Sequence, residues 1–400
     1  MELPAPALGG VAGGIAGVGA PGSSGLRPDL LIIAGEHSGD AHAAAMVRGL
    51  LAAHPERRVC AIGGPQLAAS GAQLLWDLTA SSVVGLVEVL RNLPFFSALS
   101  SATLEWIREY RPRAVCLVDY PGFNLRLAER LRRLGLSRQG GGEILLLYYI
   151  SPQIWAWKGA RRFTMARDLD AMAVIFPFEV KSYADTALPV EFVGHPLVDA
   201  EGHENPVSYD PEGPVLLLPG SRRQAVRRIF PALLAGHQAA DLRPAVVLYP
   251  SGPIRAVLES VLASGNFPNV SLRAVSESKV GASAVLTSSG TMSMQCALAG
   301  IPGAIAYRAN TGTYWMGRML LQVKYLGIAN LLLEEPMYPE YLQGAATPAA
   351  LSREIADCLA GPQRREKARV QAQRLRDILS APAASTPAAW LARQLQNGIG

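Results

Sequence analysis

Short apolar runs that alternate with amphipathic segments, in two successive series, constrain this chain more than any other feature. From residue 29 the runs are "DLLIIA", "RVCAIGG", "AVCLVD", "ILLLYYI" and "AMAVIFP". Between them lie periodic polar stretches such as "NLRLAERLRRL" at 124–134, where Leu125, Leu127, Ala128 and Leu131 form one apolar stripe and the arginines face out. Strand, helix, strand in repetition makes a parallel sheet, because parallel neighbours need a long crossover. After a polar, turn-rich stretch at 201–213, "EGHENPVSYDPEG", the series restarts with "PVLLLPG", "PAVVLYP", "ASAVLTSSG" and "GAIAYR". The pattern predicts an α/β chain with two Rossmann-like domains, 28–200 and 201–362, and a cleft between them. A helical segment, 363–400, ends the chain and is free to pack back on the first domain. Thr386-Pro387 marks its last helix, an N-cap followed by proline at the first helical position.

The 400 residues are half apolar and 17% charged, enough for large buried cores. Residues 1–27 stand apart. They are too rich in Gly and Pro for a membrane span and lack the basic start of a signal peptide, so a disordered extension or a misplaced start codon is expected. The four cysteines (Cys60, Cys116, Cys296, Cys358) are scattered without a CxxC, which argues for buried thiols rather than disulfides or zinc. A formal charge of +5 is compatible with an anionic membrane surface or a phosphorylated substrate and proves neither.

Chemistry is expected where strands end. In "LLLPGSRRQAV", Gly220, Ser221 and Arg222 offer close backbone N–H groups and a forked cationic donor, which suit a diphosphate; a helix cap by Ser221 beside a solvated arginine explains the same residues equally well. "VLTSSGTMSMQCALAGIP" repeats the arrangement with Gly290 and Thr291, where ordinary capping is again the alternative. Two such loops in one domain favour a nucleotide diphosphate. The absence of GxxxxGK[ST] excludes a P-loop, and the absence of GxGxxG at the first turn argues against a nicotinamide dehydrogenase.

In the first domain, "AVCLVDYPGFNLRLA" sets Asp119 at a strand's carboxyl end and Asn124 where it can cap a helix. Asp119 suits a general base, although on these residues alone a helix-capping aspartate is favoured. "LIIAGEHSGDAHAA" is a glycine turn that carries Glu36, Ser38 and Asp40, and two carboxylates make a poor phosphate cradle. Trp155 and Trp157 in "YYISPQIWAWKGARR" offer faces that stack on sugars, but such rings more often fill cores. His195 in "FVGHPLVD" reads as structural, and Asp168-Leu169-Asp170, a D-x-D at a helix-to-strand boundary, is a weak metal candidate. The segment 83–99, "VVGLVEVLRNLPFFSAL", has few charges. Core burial is its default, and a dip into a bilayer surface through Leu86, Leu90, Phe95 and Phe96 is the alternative.

In order along the chain, "AGEHSGD", "GLVEVL", "DYPGFN", "YYISPQIWAW", "FPFE", "FVGHPL", "LLPGSR", "SGT", the "YR" at 307–308 and "PEYLQ" at 339–343 resemble the lipid-A-disaccharide synthases, a bacterial glycosyltransferase family. The matches cover roughly 29–345, and their order makes the set specific. The resemblance implies a GT-B fold that joins UDP-2,3-diacylglucosamine to 2,3-diacylglucosamine 1-phosphate through a β-1,6 bond, with inversion and release of UDP. It implies no cofactor or metal, no nucleic acid partner, and work on lipid substrates at the inner face of the cytoplasmic membrane. It permits a homodimer that exchanges C-terminal segments, which nothing in the tail requires.

By resemblance, Asp119 is the general base, Glu36 belongs to the catalytic cleft, and Arg222 neutralises charge on the departing UDP. Ser221, Arg222, Gly290, Thr291 and Gln295 hold the donor. Ser38, Asp40, Asn124 and Trp155 line the acceptor side. Which carboxylate of the AGEHSGD loop touches substrate, and which only orients the loop, stays open. The family usually has Glu where this chain has Gln295, a weaker acceptor for ribose hydroxyls. Some members have a second Asp at Gly122, and "LGIANLL" at 326–332 replaces a more typical run while keeping Asn330. Gln295 motivates one competing reading, a relative that binds UDP-sugar or lipid without turnover. Another GT-B enzyme of UDP-N-acetylglucosamine is a third.

Overall fold

The computed structural model describes residues 27–79, 93–155, 158–198, 205–241, 243–277, 279–308 and 324–397. The expected extension 1–27 lies outside them except for Arg27. The chain divides into two compact units, Met1–Ala200 with Ala381–Gly400, and Glu201–Ser380.

In the first unit, β1 (Leu30–Ala34), β2 (Val59–Gly63), β3 (Gln73–Asp77), β4 (Ala114–Val118), β5 (Leu145–Tyr149), β6 (Ala171–Val174) and β7 (Val190–Phe192) form one sheet. Its order is β3-β2-β1-β4-β5-β6-β7, and its strand pairs are parallel. Every residue of β1, β2, β4 and β5 is buried, since helices cover both faces of a parallel sheet. That is why these strands read as unbroken apolar runs. The edges β3 and β7 are half-buried and carry polar residues, and they escaped the apolar-run reading.

The second unit adds β8 (Val207–Tyr209), β9 (Val215–Leu218), β10 (Ala245–Tyr249), β11 (Val270–Ala274), β12 (Val280–Ala282), β13 (Ala284–Thr287), β14 (Gly303–Tyr307) and β15 (Glu340–Leu342). Six strands form a parallel sheet in the order β11-β10-β9-β13-β14-β15, while β8 and β12 pair separately. Phe230, Leu233 and Leu234 from the helix Arg223–Ala240, with Leu351 and Ile355 from the helix Pro348–Ala360, close one core over this sheet.

The tail expected as one segment, 363–400, is divided. The helix Pro362–Leu379 stays with the second unit, where it buries Ala368, Ala372, Leu375 and Leu379. The helix Pro387–Asn397 joins the first unit and packs on the helix His37–Ala53. There Ala388 meets Gly49 so closely that a Cβ at Gly49 would lie 2.7 Å from the alanine methyl. Thr386 caps this last helix, its hydroxyl accepting from Ala389 N at 3.2 Å. The four cysteines are buried free thiols.

Candidate active site

In an open parallel sheet, ligands settle beyond the strands' carboxyl ends at the point where the strand order reverses direction. In the first unit that point lies between β1 and β4. The register pairs Ala34 with Val118, so Gly35 and Asp119 leave the sheet side by side. The ring of Tyr120 lies over Gly35; a Cβ there would come within 2.3 Å of it. Gly35 is therefore required for the two loops to meet.

Asp119 and Tyr120 both have left-handed backbones, with φ of 47° and 49°. For non-glycine residues such conformations cost about 1 kcal/mol or more each and persist only where their surroundings enforce them. Here the enforcement is explicit. Asp119 N donates to Tyr149 O at 2.9 Å. The Asp119 carbonyl accepts from Asn124 Nδ2 at 2.7 Å and from the Tyr148 hydroxyl at 2.6 Å. Asn124 Nδ2 also reaches Val118 O at 3.2 Å. Burial keeps the Tyr148 phenol protonated well past its ordinary range, so it remains a donor. The Asp119 side chain is left half-exposed at the sheet edge. Asn124, expected on the acceptor side, is completely buried and acts on the backbone of Asp119.

The AGEHSGD loop resolves into two roles. Glu36 is half-exposed at the N-cap of the helix His37–Ala53, followed by half-exposed Ser38. Asp40 turns inward and is 1% exposed. Its carboxylate accepts from Gly64 N at 2.7 Å, Gln66 N at 3.0 Å and Leu67 N at 3.2 Å, the start of the short helix Pro65–Ala69. Its placement in the acceptor cleft is thus corrected: three donors saturate it, and it is the carboxylate that orients the loop.

Strands β5 and β6 bring two further loops to the same edge. Trp155, half-exposed, donates its indole N–H to Glu179 Oε1 at 3.3 Å and meets Phe178 edge-on at 5.2 Å. Trp157 lies outside the described residues. Glu179, in the 3₁₀ turn Pro177–Tyr183, is 1% exposed, and burial is the main force that pushes its carboxyl up to about 8. Hydrogen bonds from Phe176 N, the Trp155 indole and Ile175 N pull the other way, and the charge of Asp119 adds to the rise. Glu179 was visible only as the last letter of "FPFE"; nothing in a lone carboxylate after an apolar run announces that it is buried.

Phe95 is 7% exposed and belongs to the core, which corrects its placement at a membrane. Phe96 packs partly buried beside Tyr120 and Phe123, each ring 6.3 Å away. Leu86 and Leu90 lie outside the described residues. No helix among the described residues is long and apolar enough to cross a membrane. Asp168 forms a buried ion pair with Arg132 at 2.6 Å, and Asp170 accepts from Leu146 N at 2.7 Å, so both carboxylates of the D-x-D are engaged in the fold. His195 Nδ1 accepts from Leu197 N at 3.2 Å while its ring packs on Phe176.

In the second unit the strand order reverses between β9 and β13. Leu218 pairs with Thr287, and the two glycine loops follow side by side. Gly220 has a φ of 105°, and a Cβ there would stand 2.9 Å from Ser288 Oγ. Ser221, Arg222, Gly290 and Thr291 are exposed on these neighbouring loops. Behind them start the helices Arg223–Ala240 and Thr291–Leu298, so two helix N-termini face the same edge. A Cβ on Gly290 would meet no atom within 4 Å. Gln295 is buried on the second helix, its backbone carbonyl accepting from Asn205 Nδ2 at 2.9 Å.

A clamp unseen in the sequence braces this edge. Ser289 Oγ donates to Leu326 O at 3.1 Å. The Glu340 carboxylate accepts from Leu326 N at 3.0 Å, Gly327 N at 2.9 Å and Asn330 Nδ2 at 2.9 Å. Asn330 Oδ1 in turn accepts from Met337 N and Tyr338 N, both at 2.9 Å. Both residues sit in quoted motifs, yet their partnership depends on strand β15, a short edge strand with no apolar run of its own.

Among known proteins, the chain matches the family described as lipid-A-disaccharide synthetase over residues 30–392. It is 35% identical over 356 residues to the lipid-A-disaccharide synthase of Nitrosococcus oceani, which spans 85% of this chain and 89% of that protein. It is 36% identical over 366 residues to lipid-A-disaccharide synthase 1 of Legionella pneumophila strain Lens, with coverage of 88% and 93%. Among solved structures it is similar in fold to a calicheamicin glycosyltransferase (TM-score 0.52, 16% identity, 94% of this chain and 99% of that one). The spinosyn forosaminyltransferase SpnP gives a TM-score of 0.57 at 11% identity, with coverage of 94% and 100%. The fold is that of the GT-B glycosyltransferases.

Proposed function

We infer the reaction from what the chain is: it belongs to the lipid-A-disaccharide synthase family and is a glycosyltransferase of lipid A disaccharide synthesis. The donor is UDP-2,3-diacylglucosamine, the acceptor is 2,3-diacylglucosamine 1-phosphate, and the product is the β-1,6 disaccharide 1-phosphate. The observation that carries this reading is Asp119, held in a left-handed backbone at the strand-order reversal by Asn124 and Tyr148.

The Asp119 carboxylate takes the proton of the acceptor's 6-hydroxyl as that oxygen attacks the anomeric carbon of the donor. The new O–C bond forms on one face while the bond to the UDP phosphate breaks on the other, and the electron pair leaves with UDP. One in-line displacement turns an α-linked donor into a β-linked product. Arg222 and the N–H groups that start the helices Arg223–Ala240 and Thr291–Leu298 stabilise the charge that grows on the leaving diphosphate. With that positive field supplied by the chain, the proposed step uses no metal. Glu36 accepts from sugar hydroxyls, and Gln295 serves the ribose. Diacylated substrates put the reaction at a membrane surface, which we propose is the inner face of the cytoplasmic membrane.

The proton spectrum of the isolated disaccharide tests the stereochemistry. A large trans-diaxial coupling at the new anomeric proton is expected. A small coupling, with the α configuration retained, would overturn the single-displacement reading.

A further inference from the structure

Glu179 is a buried carboxylate with no part in the reaction as drawn above. Each of its oxygens holds a neighbour: Oε1 accepts the Trp155 indole N–H at 3.3 Å, and Oε2 accepts Phe176 N at 3.2 Å. The Trp155 ring also meets Phe178 edge-on at 5.2 Å, and Phe178 stacks on Phe176 at 5.7 Å. Trp155 itself remains half-exposed at the edge where Asp119 emerges. A rigid aromatic face beside a general base is what a pyranose needs in order to present one hydroxyl.

We propose that Glu179 is a positioning residue for the acceptor: it fixes the plane of the Trp155 indole, against which the acceptor sugar stacks beside Asp119. This rests on the assignment of Asp119 as base. The surroundings also give Glu179 an electrostatic duty. With its carboxyl pushed up to about 8, Glu179 is neutral at neutral pH. Asp119 then faces the phosphorylated acceptor without a second negative neighbour. Above about pH 8, Glu179 ionises and adds a buried charge that repels an anionic acceptor. Burial lifts the Tyr183 and Tyr148 phenols far above that window. The other charged or titratable groups near Glu179 are Asp119, Arg161, which faces both phenols, and His195, whose ring packs on Phe176.

The test is steady-state kinetics with the diacylated donor and acceptor at pH values from about 6 to about 9, on wild type, Glu179→Gln, Glu179→Leu and Asp119→Asn. Glu179→Leu removes both acceptors and is expected to raise the acceptor KM by roughly tenfold or more, with the donor KM unmoved. Glu179→Gln keeps an acceptor for the indole and is expected to recover most of that loss. In wild type the acceptor KM should climb above about pH 8, and in Glu179→Gln that climb should vanish. A climb that persists in Glu179→Gln, or donor and acceptor KM values that rise together in Glu179→Leu, would overturn the proposal. Thermal unfolding of each variant separates a folding defect from a positioning one. Full turnover by Asp119→Asn would instead bring down the underlying assignment of the base.

Discussion

At the scale of single residues, the site depends on side chains that hold other atoms in place. Asn124 touches the backbone of Asp119 and Val118 from a fully buried position. Asn124→Ala leaves two buried carbonyls short of a donor, so a stability loss of about 2 kcal/mol is expected by denaturant titration. The rate should fall further than that loss explains, because Asp119 loses one of the three contacts that pin it; a rate unchanged in the folded variant would remove Asn124 from the site. Gln295→Glu, which puts a charged acceptor in place of a neutral one, is expected to lower the donor KM several-fold, and no change would mean that Gln295 does not meet the ribose. Asp119 was legible as a candidate from its place after an apolar run. Its left-handed backbone was not, since Asp-Tyr is no ordinary left-handed pair and only the partners on β5 and the following helix impose it.

At the scale of elements, the interior strands were legible because burial on both faces leaves nothing polar in them. The edge strands β3, β7, β11 and β15 were not, since half-exposed positions break the run. Asp40 shows how an element can borrow its cap from far away in sequence. Its three hydrogen bonds lie 24 to 27 residues distant, a separation no local motif reveals. Asp40→Ala is therefore expected to destabilise the first unit by about 3 kcal/mol, read as a lower unfolding midpoint. A variant that kept its full stability but lost all turnover would return Asp40 to the substrate side. The tail follows the same logic. The apolar stripe of the helix Pro362–Leu379 belongs to the second unit and that of the helix Pro387–Asn397 to the first, a division the sequence of 363–400 does not mark.

At the scale of the whole molecule, each unit carries its motif loops at the reversal point of its own sheet. Both pairs of loops were readable as loops, but their adjacency needed the strand order. One buried carboxyl also sets a property of the whole. Glu179 has its folded-state value raised to about 8 from an ordinary 4.5. Between those values the unfolded chain releases its proton and the folded chain keeps it, so this group's contribution to stability is full below about pH 4.5 and is lost as pH rises through about 8. Wild type should therefore lose stability relative to Glu179→Gln between about pH 5 and about pH 8, as read from urea midpoints. A constant difference would mean that Glu179 ionises normally. The reaction itself is read by mass spectrometry of the products from UDP-2,3-diacylglucosamine and 2,3-diacylglucosamine 1-phosphate, on wild type beside Asp119→Asn. Asparagine is the apt replacement because it tolerates the left-handed backbone that Asp119 occupies. A tetraacylated disaccharide monophosphate from wild type, reduced at least about a hundredfold in the variant, is the expected result. No disaccharide from a folded wild-type protein that binds UDP, across a matched set of acyl lengths, would contradict it.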